Sequence, residues 1–154
     1  MKRLDRDLEI AKLRMKERDL SLVIVKEGRV LLEDRSQGLD GFLKAIEKLG
    51  RSLVASSVAD KIVGAAAAML CVYSEVVSVF AVMISGEGIS VLENNKIAYQ
   101  FEDQVESILN LDKTDICLFE KLAINSKNPK EAYEKLKSLA ESKNKKRGET
   151  SDFQ

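Results

Sequence analysis

Residues Ser56 to Tyr73 read "SSVADKIVGAAAAMLCVY", and the fold turns on how this stretch is taken. Its alanine run and small apolar residues predict a helix, with Ser57 as N-cap and Asp60 three positions later. There the Asp60 carboxylate would reach back to the Ser57 N–H, a capping box worth about 1 kcal/mol. Capping alone accounts for Asp60; a pocket role is the other reading. Lys61 fits a first turn less well, because a cation there opposes the helix dipole unless it meets a carboxylate, a bound anion or solvent. Gly64 would then lie inside the helix, where it costs about 1 kcal/mol relative to alanine and lets a neighbour approach closely.

Working outward, Leu4, Leu8, Ala11 and Met15 recur at helical spacing. "LSLVIVKEGRVLLED" gives two strands joined by a Glu27-Gly28 hairpin turn, apolar enough to be covered on both faces. Asp40 is the expected N-cap of a helix burying Phe42, Leu43, Ile46 and Leu49, and Gly50 its stop. "VVSVFAVMI" reads as a central strand, Ser85 as the cap of a helix to about Asn94, and "IAYQF" as a further strand. "CLFEKLAI" favours helix. Asn128-Pro129 with Glu131 opens the last one, burying Ala132, Leu136, Leu139 and Ala140. The order predicts an α/β domain, a three-layer α/β/α sandwich with a mixed sheet and an N-terminal hairpin. Its expected extent is 1–142, with 143–154 a polar, disordered tail.

Composition narrows function. The chain has 154 residues, with 25 basic and 25 acidic side chains, so no net field favours nucleic acid or an anionic membrane. The uncharged run Ile62 to Ser74 is far short of the ~20 residues of a membrane span. The charged start "MKRLDRDLEIAKLRMKER" shows no secretory signal, and two cysteines, Cys71 and Cys117, suit reduced thiols in a cytoplasmic protein. Histidine is absent. Its absence removes Ser-His and Cys-His nucleophile pairs, and two cysteines alone cannot complete a zinc site. No cofactor is expected.

In an α/β sheet, ligands favour the carboxyl ends of strands, and helix starts attract anions. The candidate pocket therefore lies between Ser57-Asp60-Lys61 and Ser85-Glu87. Cys117 and Glu120 join it as candidates at another helix start, where a thiol gains acidity and a first-turn acid is favoured.

The element order resembles the cytidine-deaminase fold. "VADK" stands where that family carries its His- or Cys-Ala-Glu motif, and "SGEGIS" where it carries Ser-Pro-Cys-x-x-Cys. On this resemblance Ala59 agrees, Asp60 replaces the proton-shuttling glutamate, and Lys61 sits at a common arginine. Val58, Glu87 and Ser90 occupy the zinc-ligand positions. The resemblance implies the fold and a homo-oligomer, and the substitutions argue against zinc-dependent deamination. To about Ser142 the chain more specifically resembles an uncharacterised prokaryotic family with deaminase-like fold, through "SLVIVKEGRVL", "ASSVADKIVGAAAAML", "VFAVMISGEGISVLE" and "ILNLDKTDICLFE". That family's Cys-Pro-x-Glu turn reads Cys117-Leu118-Phe119-Glu120 here. The expected function is binding of a nucleotide-like small molecule or related anion in a relic pocket, with Asp60 on the ribose or base and Lys61 on a phosphate. Two alternatives stand beside it: an enzyme using carboxylates with or without a hard metal, and an oligomeric interaction module.

Overall fold

The computed structural model describes residues 3–152, and the side chains of 6–145. A first helix, α1 (Arg3–Arg18), precedes the hairpin β1 (Leu22–Lys26) and β2 (Arg29–Asp34). Then come α2 (Asp40–Leu49), a 3-10 turn (Gly50–Leu53), β3 (Ser57–Val63), α3 (Ala65–Tyr73), β4 (Ser78–Ser85) and α4 (Gly86–Asn94). The chain closes with β5 (Ala98–Val105), α5 (Leu118–Ile124) and α6 (Pro129–Asp152). Thus α6 enters the segment expected as a polar tail; side chains from 146 on and residues 153–154 lie outside the described residues.

The five strands form one mixed sheet in the order β2-β1-β3-β4-β5. β1 pairs antiparallel with both β2 and β3, and β3, β4 and β5 run parallel. The hairpin turns as its sequence predicts, with Glu27 and Gly28 at φ 52° and 78°. This double positive φ matches the right-handed twist of the flanking strands. The buried Asp7 of α1 fixes the turn, accepting from the Glu27 and Gly28 N–H groups at 2.9 Å each.

Two apolar layers follow from the alternation of strand side chains. On one face α1 buries Leu8, Ala11 and Met15 against Val23, Val25, Ala59 and Phe80. On the other, Leu22, Ile24, Val58, Val79 and Ala81 face the remaining helices, with α3 at their centre. Helix α3 is apolar all round, as suits a helix enclosed by neighbours, and it packs against α4, α5 and α6. The α/β three-layer expectation therefore stands.

The decisive stretch divides differently from its reading. Ser57–Val63, Asp60 and Lys61 included, is a strand, and the helix begins only at Ala65. Gly64 is its N-cap in an extended conformation, not an interior residue. Strand β3 lies between β1 and β4 and is buried on both faces through Ala59. Such strands lack the polar alternation that would have separated "SVADKIV" from the alanines after it. Asp40 likewise is the first residue of α2 and not its cap, which is Leu39 without a side-chain bond.

Candidate functional site

β2 and β3 both run antiparallel to β1, so β2, β3 and β4 all point the same way. Each is followed by a helix, which brings the starts of α2, α3 and α4 to one edge of the sheet. Side chains of the chain itself cap the starts of α3 and α4, and Asp34 lies beside the start of α2. At α4, the Ser85 hydroxyl accepts from the Gly88 N–H at 3.0 Å, as the sequence predicts. Before α2, Asp34 accepts from the Ser36 N–H at 3.0 Å, and Gly41 leaves room for its carboxylate.

The third start is the most specific. Glu120, from the short α5, inserts its carboxylate at the head of α3. Its Oε1 accepts from the Ala65 N–H at 2.8 Å and its Oε2 from the Ala66 N–H at 2.7 Å. The residue is 5% exposed. Gly64 makes the insertion possible: a Cβ there would fall on the carboxylate and lie 2.8 Å from Ile108 Cγ1. Gly88 completes the close packing, since its own Cβ would lie 2.8 Å from the Val63 carbonyl oxygen. Burial pushes the Glu120 carboxyl above the ordinary glutamate range, the two N–H donors pull it back, and the Glu87 charge adds to the rise.

Asp60 is a second, different carboxyl. It lies in a row across the sheet, beside Leu22 of β1 and Ala81 of β4, with Asp34 beyond Leu22. Leu22 and Ala81 belong to the layer under α3, so Asp60 faces that layer, and its charge reaches the buried Cys71 thiol. Its Oδ1 accepts from the Ile62 N–H at 3.3 Å, and it forms no ion pair among the described residues. Burial raises its pKa from 3.8 to about 7. The same burial, and then Asp60 itself, pushes the Cys71 thiol well above its usual range, which makes it a packing group and not a nucleophile.

The remaining candidates scatter. Lys61 turns to Asp19, just past α1, at 3.2 Å in an exposed pair. Ser57 lies buried at the opposite end of β3, accepting from the Ser78 hydroxyl at 2.7 Å. Glu87 is exposed in the first turn of α4, and Cys117 is the half-buried N-cap of α5. The edge thus brings together Ser85, Glu87, Cys117 and Glu120, keeps Asp60 beneath them, and excludes Ser57 and Lys61. Asp34 and Gly88 escaped the sequence reading, which took Gly64 as an interior helix residue that lets a neighbour approach and not as the boundary that admits Glu120. The paired "VG…SGEG" glycines were the visible trace of two helix starts in contact. Among the described residues, no group of three or more His, Cys, Asp or Glu is arranged to hold a metal ion. No helix there is long and apolar enough to cross a membrane.

These features define an α/β domain with a deaminase-like order of elements and without the deaminase zinc ligands. The family model described as TM1506, Domain of unknown function (DUF1893), matches residues 10–139. The chain belongs to that family. It is similar to the crystal structure of the DUF1893 family protein TM1506 from Thermotoga maritima, at 25% identity and TM-score 0.79, over 87% of this chain and 90% of that one. Weaker likenesses extend to RibD from Acinetobacter baumannii, at 15% identity and TM-score 0.49, over 66% of this chain and 36% of that one. A dCMP deaminase from the cyanophage S-TIM5, solved with dCMP and dUMP, is 14% identical at TM-score 0.46, over 63% of this chain and 94% of that one. No curated protein matches the chain.

Proposed function

We propose that this protein is a ligand-binding domain without deaminase chemistry, which takes the hydrogen-bonding edge of a neutral heterocycle, such as a nucleobase, at Asp60. The observation that carries this reading is the Asp60 carboxyl itself, partly exposed, free of any cationic partner among the described residues, and with a pKa near 7. Near neutral pH it is populated in both forms. Protonated, it donates and accepts side by side, which matches the paired donor and acceptor of an amide-like ring edge. The phosphate of a nucleotide finds less support, because Lys61 is turned to Asp19 and the starts of α3 and α4 already hold Glu120 and Ser85.

The test is calorimetric titration at pH 7 with free nucleobases, nucleosides and ribose 5-phosphate. Base and nucleoside bind the wild type, ribose 5-phosphate does not, Asp60→Ala weakens the base at least about tenfold, and Asp60→Asn, which keeps a donor beside an acceptor, retains it. Equal affinity of wild type and Asp60→Ala would overturn the reading. Native beside denaturing mass spectrometry of protein purified without added nucleotide gives a second readout, extra mass that vanishes on denaturation.

One observation favours a second reading, an oligomeric interaction module. Ile62 and Met83 pair across β3 and β4 and are both exposed, with exposed Phe101 on the neighbouring strand. Apolar side chains left exposed on neighbouring strands are candidates for a contact site. Light scattering at micromolar concentration distinguishes the two: a dimer that Met83→Glu dissociates supports the module, and a monomer removes it.

A further inference from the structure

We propose that β5 pairs edge to edge with β5 of a second copy of this chain, antiparallel about a two-fold axis at Phe101, joining the two sheets into one. This rests on the interaction-module reading and supplies its partner and its geometry.

The two edges of the sheet are built differently. β2 carries a bulge, its register against β1 shifting at Ile24 and Val25, and bulges blunt an edge against further pairing. β5 keeps one register with β4 from Ala98 to Val105 and is the last strand on its side. The Ala98 N–H donates to the Val77 carbonyl at 3.3 Å, so Ala98 and every second residue after it turn their main-chain groups to β4. Tyr99, Phe101 and Asp103 turn theirs outward. Among the described residues no main-chain bond reaches them from that side. Such a row of open groups is a template for another strand.

The side chains select the chain's own β5 as that strand. The axis passes through the sheet, so both copies keep α1 on the same side. Centred on Phe101, Phe101 meets its counterpart, and Tyr99 and Asp103 meet Asp103 and Tyr99 of the second copy, each pair exchanging two main-chain bonds. Between these, Gln100 faces Glu102 of the second copy, with Cα atoms about 4.5 Å apart. Lys12 donates to Gln100 at 3.0 Å and Lys16 pairs with Glu102 at 2.6 Å. Each Glu102 therefore comes to lie between its own Lys16 and Lys12 of the second copy, a charge match that the two-fold axis repeats. Phe101, 40% exposed and stacked on Tyr99 with ring centroids 6.2 Å apart, gains an aromatic contact at the axis. Neighbouring registers are worse. Centred on Glu102, two carboxylates would stand directly opposed. Centred on Gln100, Asp103 would need Ile97, whose N–H is already given to the Leu92 carbonyl.

Sedimentation equilibrium at micromolar concentration tests the pairing, and the wild type is expected as a dimer. Phe101→Pro removes an outward N–H and spares the β4 ladder; it weakens the dimer at least about tenfold while circular dichroism stays that of the wild type. Glu102→Lys, an exposed change that sets like charges against Lys12 of the second copy, weakens it without touching the backbone. Register is read by oxidation in a Cys117→Ser background. Phe101→Cys forms an intermolecular disulfide, since facing Cα atoms of a bonded pair lie about 5.5 Å apart, and Gln104→Cys does not. A wild-type monomer overturns both this pairing and the module. A dimer that Met83→Glu dissociates but Phe101→Pro and Glu102→Lys leave intact overturns the edge pairing alone, as does cross-linking through Gln104→Cys.

Discussion

Two carboxyls lie within one short span of the fold, and they have opposite arrangements. Glu120 at the head of α3 is buried and doubly bonded, with two N–H donors aimed at it. Asp60, beneath the same helix, is partly open, bonded to the Ile62 N–H at 3.3 Å, and free of any ion pair among the described residues. Burial raises the pKa of both. The difference lies in what has been supplied to offset that burial. A group matched by donors is part of the framework, whereas a group left unmatched is available to something else.

The sharpest way to break this contrast is Glu120→Ala. It removes two charge-assisted bonds and leaves two N–H groups enclosed, and stability falls by about 3 kcal/mol in urea unfolding. Next in size is Asp60→Asn. A folded-state pKa raised from 3.8 to about 7 means that Asp60 contributes stability fully below about pH 4, and that the contribution is lost as pH rises through about 7. At 1.36 kcal/mol per unit the ceiling is ~4 kcal/mol, and partial solvent contact brings the expected effect to about 2 kcal/mol. The domain is therefore more stable at pH 5 than at pH 8, and Asp60→Asn flattens the profile by raising stability at pH 8. A wild-type melting temperature that climbs from pH 5 to pH 8 would contradict this. Glu120, also raised, acts in the same direction. Glu33, Asp115 and Glu131 are lowered by their basic or N–H partners and lose their contributions only as pH falls below the ordinary carboxylate range.

Smaller effects calibrate the pair. Ser85→Ala deletes an ordinary cap on the adjacent helix and costs about 1 kcal/mol, which sets the scale against which Glu120 is to be judged. Lys61→Ala breaks an exposed pair with Asp19 and changes stability by less than ~0.5 kcal/mol. Base binding at Asp60 is likewise unaffected. A large effect from Lys61 would return it to the site.

The elements that were legible in the sequence carry their punctuation locally. Ser85 precedes its helix and bonds three residues ahead. Asn128 accepts from the Glu131 N–H at 2.8 Å while Glu131 reaches back to the Lys127 N–H, around Pro129. Glu27-Gly28 announces its turn. The head of α3 carries no such mark. Its cap comes from α5, so the nearest acid and serine, Asp60 and Ser57, stood in for it by default. Gly64, the true boundary, was misread as an interior residue because nothing adjacent shows the carboxylate that it accommodates. The strand-helix division and half of the candidate site were hidden for this one reason. Glu120 and Ser85 were found because first-turn acids and hydroxyls are recognisable wherever they occur, while the displacement of Lys61 followed from moving the pair onto a strand.

The span between Ala65 and Glu120 also sets an order of events during synthesis. When the ribosome has released the chain through β5, all five strands and α3 are present, yet the first turn of the central helix still lacks its acceptor. Only once α5 emerges can the carboxylate be delivered. The growing chain therefore passes through a length at which every strand of the sheet has been made while the acceptor for the first turn of the central helix has not.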